Sequence, residues 1–271
     1  MRRRNAVAAW VSFAVAVGGL AGGARAYPGG TPAYQTDVAP FCAGCHASRQ
    51  ESQLAGLPAA RVAKELPEAK HLALIRAGEG GYEALSEADR RRLAELVAAV
   101  DRAATVSLEA PSEVAAGAVF EVTVRTRGGA GPVVGVALVD GGHRYLARPA
   151  ASAGWQVEGE PEPRVEGGEV QREWLHRRPE ALGRNLSFVN ITGVEGDAET
   201  GRYTATRTVF RLRAPSRPGS YPLAAVFFYG TEKATPLGYV EDPIRGRQVR
   251  GGFLGHSGRI LFTDEKRIQV R

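Results

Sequence analysis

The sequence predicts two unlike parts in one chain: an all-α segment over residues 27–105, then an all-β segment over 106–271. Two changes along the chain predict this. Up to Thr105 the text is rich in Ala, Leu, Glu and Arg, with apolar residues at helical spacing. From Val106 onward apolar and polar residues alternate, Gly and Pro punctuate the runs, and most aromatic residues appear. Residues 1–26 stand apart from both as an export leader.

The leader reads as a signal peptide. Arg2, Arg3 and Arg4 form a charged start, residues 6–21 an apolar stretch, and Ala24-Arg25-Ala26 a small-residue cleavage site. The processed chain is then expected to begin at Tyr27. The apolar run is short for a membrane span and lacks aromatic or basic anchors at its end. An uncleaved anchor therefore ranks second to a periplasmic location. No cysteine follows the cleavage site to carry a lipid. Losing Arg2, Arg3, Arg4 and Arg25 takes the basic count from 35 to 31, against 29 acids. The basic character belongs mostly to the leader, and a nucleic-acid partner is not expected.

In the first segment, Thr36 and Asp37 are placed to cap a short helix running into residues 42–46. Leu66-Pro67-Glu68 marks a helix start, with Pro67 near the first helical position and Gly78 as its stop. A longer helix follows Ser86. Ser86 and Asp89 have capping-box spacing, and Leu93, Leu96, Val97 and Val100 make one apolar face. Arg90, Arg91 and Arg92 lie mainly off that face and read as a solvated surface.

Cys42-Ala43-Gly44-Cys45-His46 carries the chemistry. Cys-x-x-Cys-His is the attachment pattern of c-type haem. Each thiol adds across a vinyl group of the porphyrin, and the adjacent imidazole is the proximal ligand. Cys42 and Cys45 are the only cysteines, so the motif uses every thiol in the chain. One covalent haem c is the expected cofactor, held by Cys42, Cys45 and His46.

With this motif near its start and a closing helix at 85–100, the segment 27–105 resembles a small class I cytochrome c domain. The resemblance implies an all-α haem domain with a distal methionine shortly before the closing helix. The chain departs from it there. That region reads Ala77-Gly78-Glu79-Gly80-Gly81-Tyr82, and Met1, the only methionine, lies in the leader. His71 is the first candidate for the sixth iron position, because it shares a helical face with Leu74 and Ile75. A buried structural histidine is the competing reading. His143, His176 and His256 of the β segment follow, and Lys64, Lys70 and Tyr82 rank below them. Imidazole in place of thioether lowers the haem potential, whereas a vacant position admits small ligands.

The β segment places strands at 120–125, 133–139, 186–191, 203–212, 221–229, 260–262 and 268–270. Arg213-Ala214-Pro215, followed by Pro218-Gly219-Ser220-Tyr221, marks a turn between two long antiparallel strands. This pattern suggests an immunoglobulin-like sandwich. Residues 211–230 also resemble the late strands of reeler-like domains. Two irregular stretches, 149–183 and 231–258, interrupt the strands. The acceptor-like triplets starting at Asn185 and Asn190 fall in a predicted strand and are discounted as glycosylation sites.

No Gly-x-Ser-x-Gly motif and no paired histidine spacing for zinc occurs, and a copper site would need a cysteine already committed to haem. Glu158, Glu160 and Glu162 alternate around prolines and read as a solvated loop. The expected function is an exported monohaem electron carrier, with enzymatic activity left open. Its β domain would dock it to a protein redox partner, free or membrane-associated. Two other readings stand beside it. One is a haem-based small-ligand binder or enzyme with a non-Met or open sixth position. The other is a β-sandwich adhesion module whose haem is structural.

Overall fold

Alternation of apolar and polar side chains organises most of the molecule. The computed structural model describes residues 58–66, 68–79, 82–131, 133–141, 147–165, 187–231, 239–242, 246–249 and 258–271. Four helical pieces come first: α1 (Ala59–Glu65), a π-turn (Glu68–Leu72), α2 (Ala73–Ala77) and α3 (Glu87–Ala103). Gly78 ends α2 in the left-handed conformation, φ 70°, which costs glycine no Cβ clash. Ser86 caps α3 as its spacing predicts. Its hydroxyl oxygen accepts from the Asp89 amide at 3.2 Å and its hydroxyl donates to the Asp89 carboxylate at 2.6 Å.

Helix α3 passes through Ala104 directly into β1 (Thr105–Glu109). The strands that follow are β2 (Glu113–Val114), β3 (Val119–Arg127), β4 (Val133–Val139), β5 (Gln156–Val157), β6 (Glu162–Val165) and β7 (Phe188–Thr192). Next come β8 (Gly196–Asp197), β9 (Arg202–Tyr203), β10 (Ala205–Arg213) and β11 (Gly219–Gly230). The last are β12 (Tyr239–Asp242), β13 (Gly246–Val249), β14 (Gly258–Phe262) and β15 (Lys266–Val270).

Among the described residues these strands form two main sheets and two small hairpins. One sheet runs β1-β3-β10-β5, with β6 also on β10; the other runs β2-β15-β11-β4-β7, with β14 on β11. All pairings are antiparallel except β2 with β15. Along β11, β15 pairs with Gly219–Leu223 and β14 takes over at Val226–Gly230. The eight positions from Leu223 to Gly230 are all buried, as in a strand covered on both faces.

One apolar core draws on both sheets, including Val122, Val124, Phe210 and Leu212 from the first and Val136, Leu138, Leu223 and Phe227 from the second. Trp155 is fully buried between them. Its ring meets Phe120 of β3 edge-on at 5.6 Å and Tyr221 of β11 at 5.8 Å. Its indole N–H donates to the Pro222 carbonyl at 2.8 Å, so the polar end of the ring is satisfied.

These findings correct the expected fold class. The described residues are mostly β-sheet, and among them no N-terminal all-α, class I cytochrome-like domain fused to an immunoglobulin-like or reeler-like sandwich is seen. The physical reason lies in where the helices bury their apolar residues. The helical cluster of Leu72, Ile75, Tyr82, Leu93, Ala94 and Val97 is small, and α3 sends Val100, with Ala104 beyond it, into the β core. A helix committed to a sheet at its C-terminal end does not close an independent helical domain. Among the described residues no group of three or more His, Cys, Asp or Glu side chains is placed to hold a metal. Among the same residues no helix is long and apolar enough to cross a membrane.

Candidate haem site and the helix-to-sheet junction

The attachment residues Cys42, Cys45 and His46 lie outside the described residues, as do the leader, Pro67, His143, His176 and His256. The structure does place His71. It sits in the π-turn Glu68–Leu72, which packs against α1, α2 and α3. Such turns carry an extra residue per turn and often occur at functional positions. The His71 side chain is buried, at 4% exposure, next to Leu72 and four residues before Ile75, both in the helical apolar cluster. Leu74, predicted to share this face, is half-buried. The local widening of the helix explains that shift, because i+4 and not i+3 lies closest to the same direction in a π-turn.

The donor chemistry fits a haem. Two thiols and an imidazole in the motif would supply covalent attachment and a proximal ligand, and a buried imidazole is a side chain suited to the opposite position. Cys42, Cys45 and His46 would hold the group and His71 is the described candidate for its far side. Tyr82, a lower candidate, is 2% exposed and belongs to the same helical cluster, whereas Lys64 is exposed. Glu68 at the start of the π-turn pairs with Arg76 of α2 on the surface.

Where the helical residues meet the sheet, a polar cluster went unread in the sequence. Asp101, in the last turn of α3, accepts from Arg259 Nε of β14 at 3.1 Å and from the Tyr229 hydroxyl of β11 at 3.1 Å. The Arg259 side chain is 3% exposed and that of Asp101 17%. Burial, with the Asp101 carboxylate next to it, pushes the Tyr229 phenol well above its ordinary range. Tyr229 stacks on Phe227 at 4.9 Å. On the surface nearby, Arg92 of α3 pairs with Glu199 in the β8–β9 turn. No local signal in the sequence announces these partners, since Asp101 and Arg259 are 158 residues apart.

Of the acidic trio, Glu158 and Glu160 lie between β5 and β6 as expected of a loop, whereas Glu162 opens strand β6. Glu158 pairs with Arg213 at 2.7 Å, which lowers its carboxyl below the usual range, and Glu162 approaches Arg164 at 3.8 Å. Comparison of the sequence with models of known protein families gives no match, and comparison with curated proteins gives none either.

Proposed function

We propose that this chain is an exported monohaem c-type electron carrier whose β-rich body docks it to a protein redox partner. The observation that carries the reading is Cys42-Ala43-Gly44-Cys45-His46, preceded by a leader of the kind that sends a chain to the compartment where haem c is attached. The group supplies, when bound, a one-electron ferric/ferrous couple. Cys42 and Cys45 fix it covalently through two thioethers, and His46 offers the proximal nitrogen. His71, buried on the π-turn, is the residue offered to the opposite side.

The test is spectroscopic. The purified full chain should keep its haem through denaturation, lose it in Cys42→Ser/Cys45→Ser, and cycle reversibly between its two oxidation states. EPR of the ferric protein should be low-spin in wild type and high-spin in His71→Ala. A protein without covalent haem, or with haem that cannot be reduced reversibly, sinks the proposal. A chain that lacks a methionine in its processed part also suits a small-ligand binder. A large spectral change on adding CO to the reduced protein would select that second reading.

A further inference from the structure

We infer that the outward face of the β1-β3-β10-β5 sheet, with β6 on its edge, is the docking surface for an acidic face of a protein partner. On β3 and β10 alternate residues place Arg125, Arg127, Arg207, Arg211 and Arg213 on that face, all exposed, around Thr123 and Val209, which are buried. Arg164 of β6 joins them. The register makes the arrangement unusual. Arg125 lies directly opposite Arg207, and Arg207 lies directly opposite Arg164, so three arginines stand in one row across three adjacent strands. Like charges placed directly opposite on a sheet repel, and a fold gains nothing from such a row by itself.

Intramolecular carboxylates answer only the ends of the row. Glu109 takes Arg125 in two bonds, at 2.6 and 3.3 Å, and Glu162 sits 3.8 Å from Arg164. Arg207, in the middle, has no carboxylate within ion-pair distance among the described residues. Its hydrogen bond is to the Thr123 hydroxyl at 3.5 Å. Arg211 faces Glu121 in the register without forming an ion pair, and Arg127 lies over the Tyr203 ring at 5.5 Å. Arg207 and Arg211 thus hold no ion pair among the described residues, and both lie on this face. Each presents a planar fork of donors that matches a carboxylate.

The size and mixture of the patch select the occupant. From Arg207 to Arg213 the row of outward residues extends about 20 Å at the rise of an antiparallel strand. That length suits a macromolecule more than a single small anion. Glu109, Glu121, Glu158 and Glu162 are interspersed with the arginines, which would repel the continuous phosphates of a nucleic acid or an anionic bilayer. A protein surface with its own acidic residues among neutral ones complements such a pattern. The inference rests on the proposed redox reading for the identity of the partner as a redox protein, but the patch is defined by geometry alone.

The experiment uses the full-length chain and immobilised poly-L-glutamate as the acidic probe, over a range of salt. Arg207→Gln/Arg211→Gln removes two charges that hold no ion pair, so folding should survive and is checked by circular dichroism. Affinity at low salt should fall roughly tenfold in this variant, because the summed field of such a patch governs association. High salt should abolish the difference. Arg91→Gln, on the outer surface of α3, should match wild type. Equal affinity of wild type and the double variant at low salt would overturn the inference. So would tighter, patch-dependent binding to phosphatidylglycerol vesicles or duplex DNA than to poly-L-glutamate. The haem spectrum of the same samples separates the two proposals. Patch-dependent binding by a chain without haem overturns the redox reading and leaves the docking face standing.

Discussion

Replacing Asp101 by Ala tests whether a buried ion pair holds the helical segment to the sheet. The change removes two hydrogen bonds of 3.1 Å, from Arg259 and from the Tyr229 hydroxyl. It takes the facing carboxylate away from a guanidinium whose side chain is 3% exposed. Removing one partner of a fully buried pair costs about 3–5 kcal/mol. Asp101 keeps 17% of its side chain exposed, so water enters more easily on its side, and about 3 kcal/mol is expected. For a chain of this size that lowers Tm by roughly 6–12 °C. Asp101→Asn keeps an acceptor for Tyr229 but loses the charge, and should cost about half as much. Asp101→Leu/Arg259→Met, which removes both charges, should recover most of the loss. Urea titration and thermal melting by circular dichroism measure all three. Single variants within about 0.5 kcal/mol of wild type would show that Asp101 does not stabilise the Arg259 charge, and the argument for the junction would fail.

Two further outcomes follow from the same core. The Tyr229 phenol is held well above its ordinary value of 10.0, first by burial and then by the Asp101 charge, so the folded chain keeps a proton that the unfolded chain loses. Its contribution is fully present below about pH 10 and is lost as pH rises from there towards the folded value. Urea midpoints from pH 9 to 11.5 should fall more steeply for wild type than for Tyr229→Phe, and parallel curves would contradict this. Gly131 has φ 70°, and a Cβ built there overlaps the Val194 carbonyl oxygen. Gly131→Ala should therefore destabilise by about 2 kcal/mol or more, and a Tm equal to that of wild type would refute the clash.

Local patterns were legible and long-range pairings were not. β4 occupies Val133–Val139, the span that its apolar run predicts, because β-branched residues between turn signals decide a buried strand without outside help. Ser86 and Gly78 could likewise be read as a cap and a stop, since each acts within four residues. The π-turn at Glu68–Leu72 could not, because the same helical spacing serves α and π geometry until tertiary packing chooses. The expectation of an all-α fold for the first segment failed at Val100. Its place on an apolar helical face was correct, but spacing does not say whether that face meets other helices or a sheet. The arginine row was present in the text as alternating Arg207, Arg211 and Arg213. Only the register of β3, β6 and β10 turned separate surface charges into neighbours.

The junction gives this mixed architecture a functional logic. The helical segment buries only a small cluster of its own, so it draws stability from the β core through Val100 and from Arg259 through Asp101. His71 lies on a turn packed against α3, and α3 runs without a linker into β1, the neighbour of β3. His71, the ligand candidate of the proposed carrier, and the arginine-bearing sheet are therefore joined through one continuous helix-strand connection. An electron carrier needs its redox centre held at a defined distance from the surface that meets its partner. Loosening the junction with Asp101→Ala should thus weaken electron transfer to an acidic partner more than it changes the haem spectrum. Neutralising Arg207 and Arg211 should slow association and leave both the spectrum and the fold unchanged.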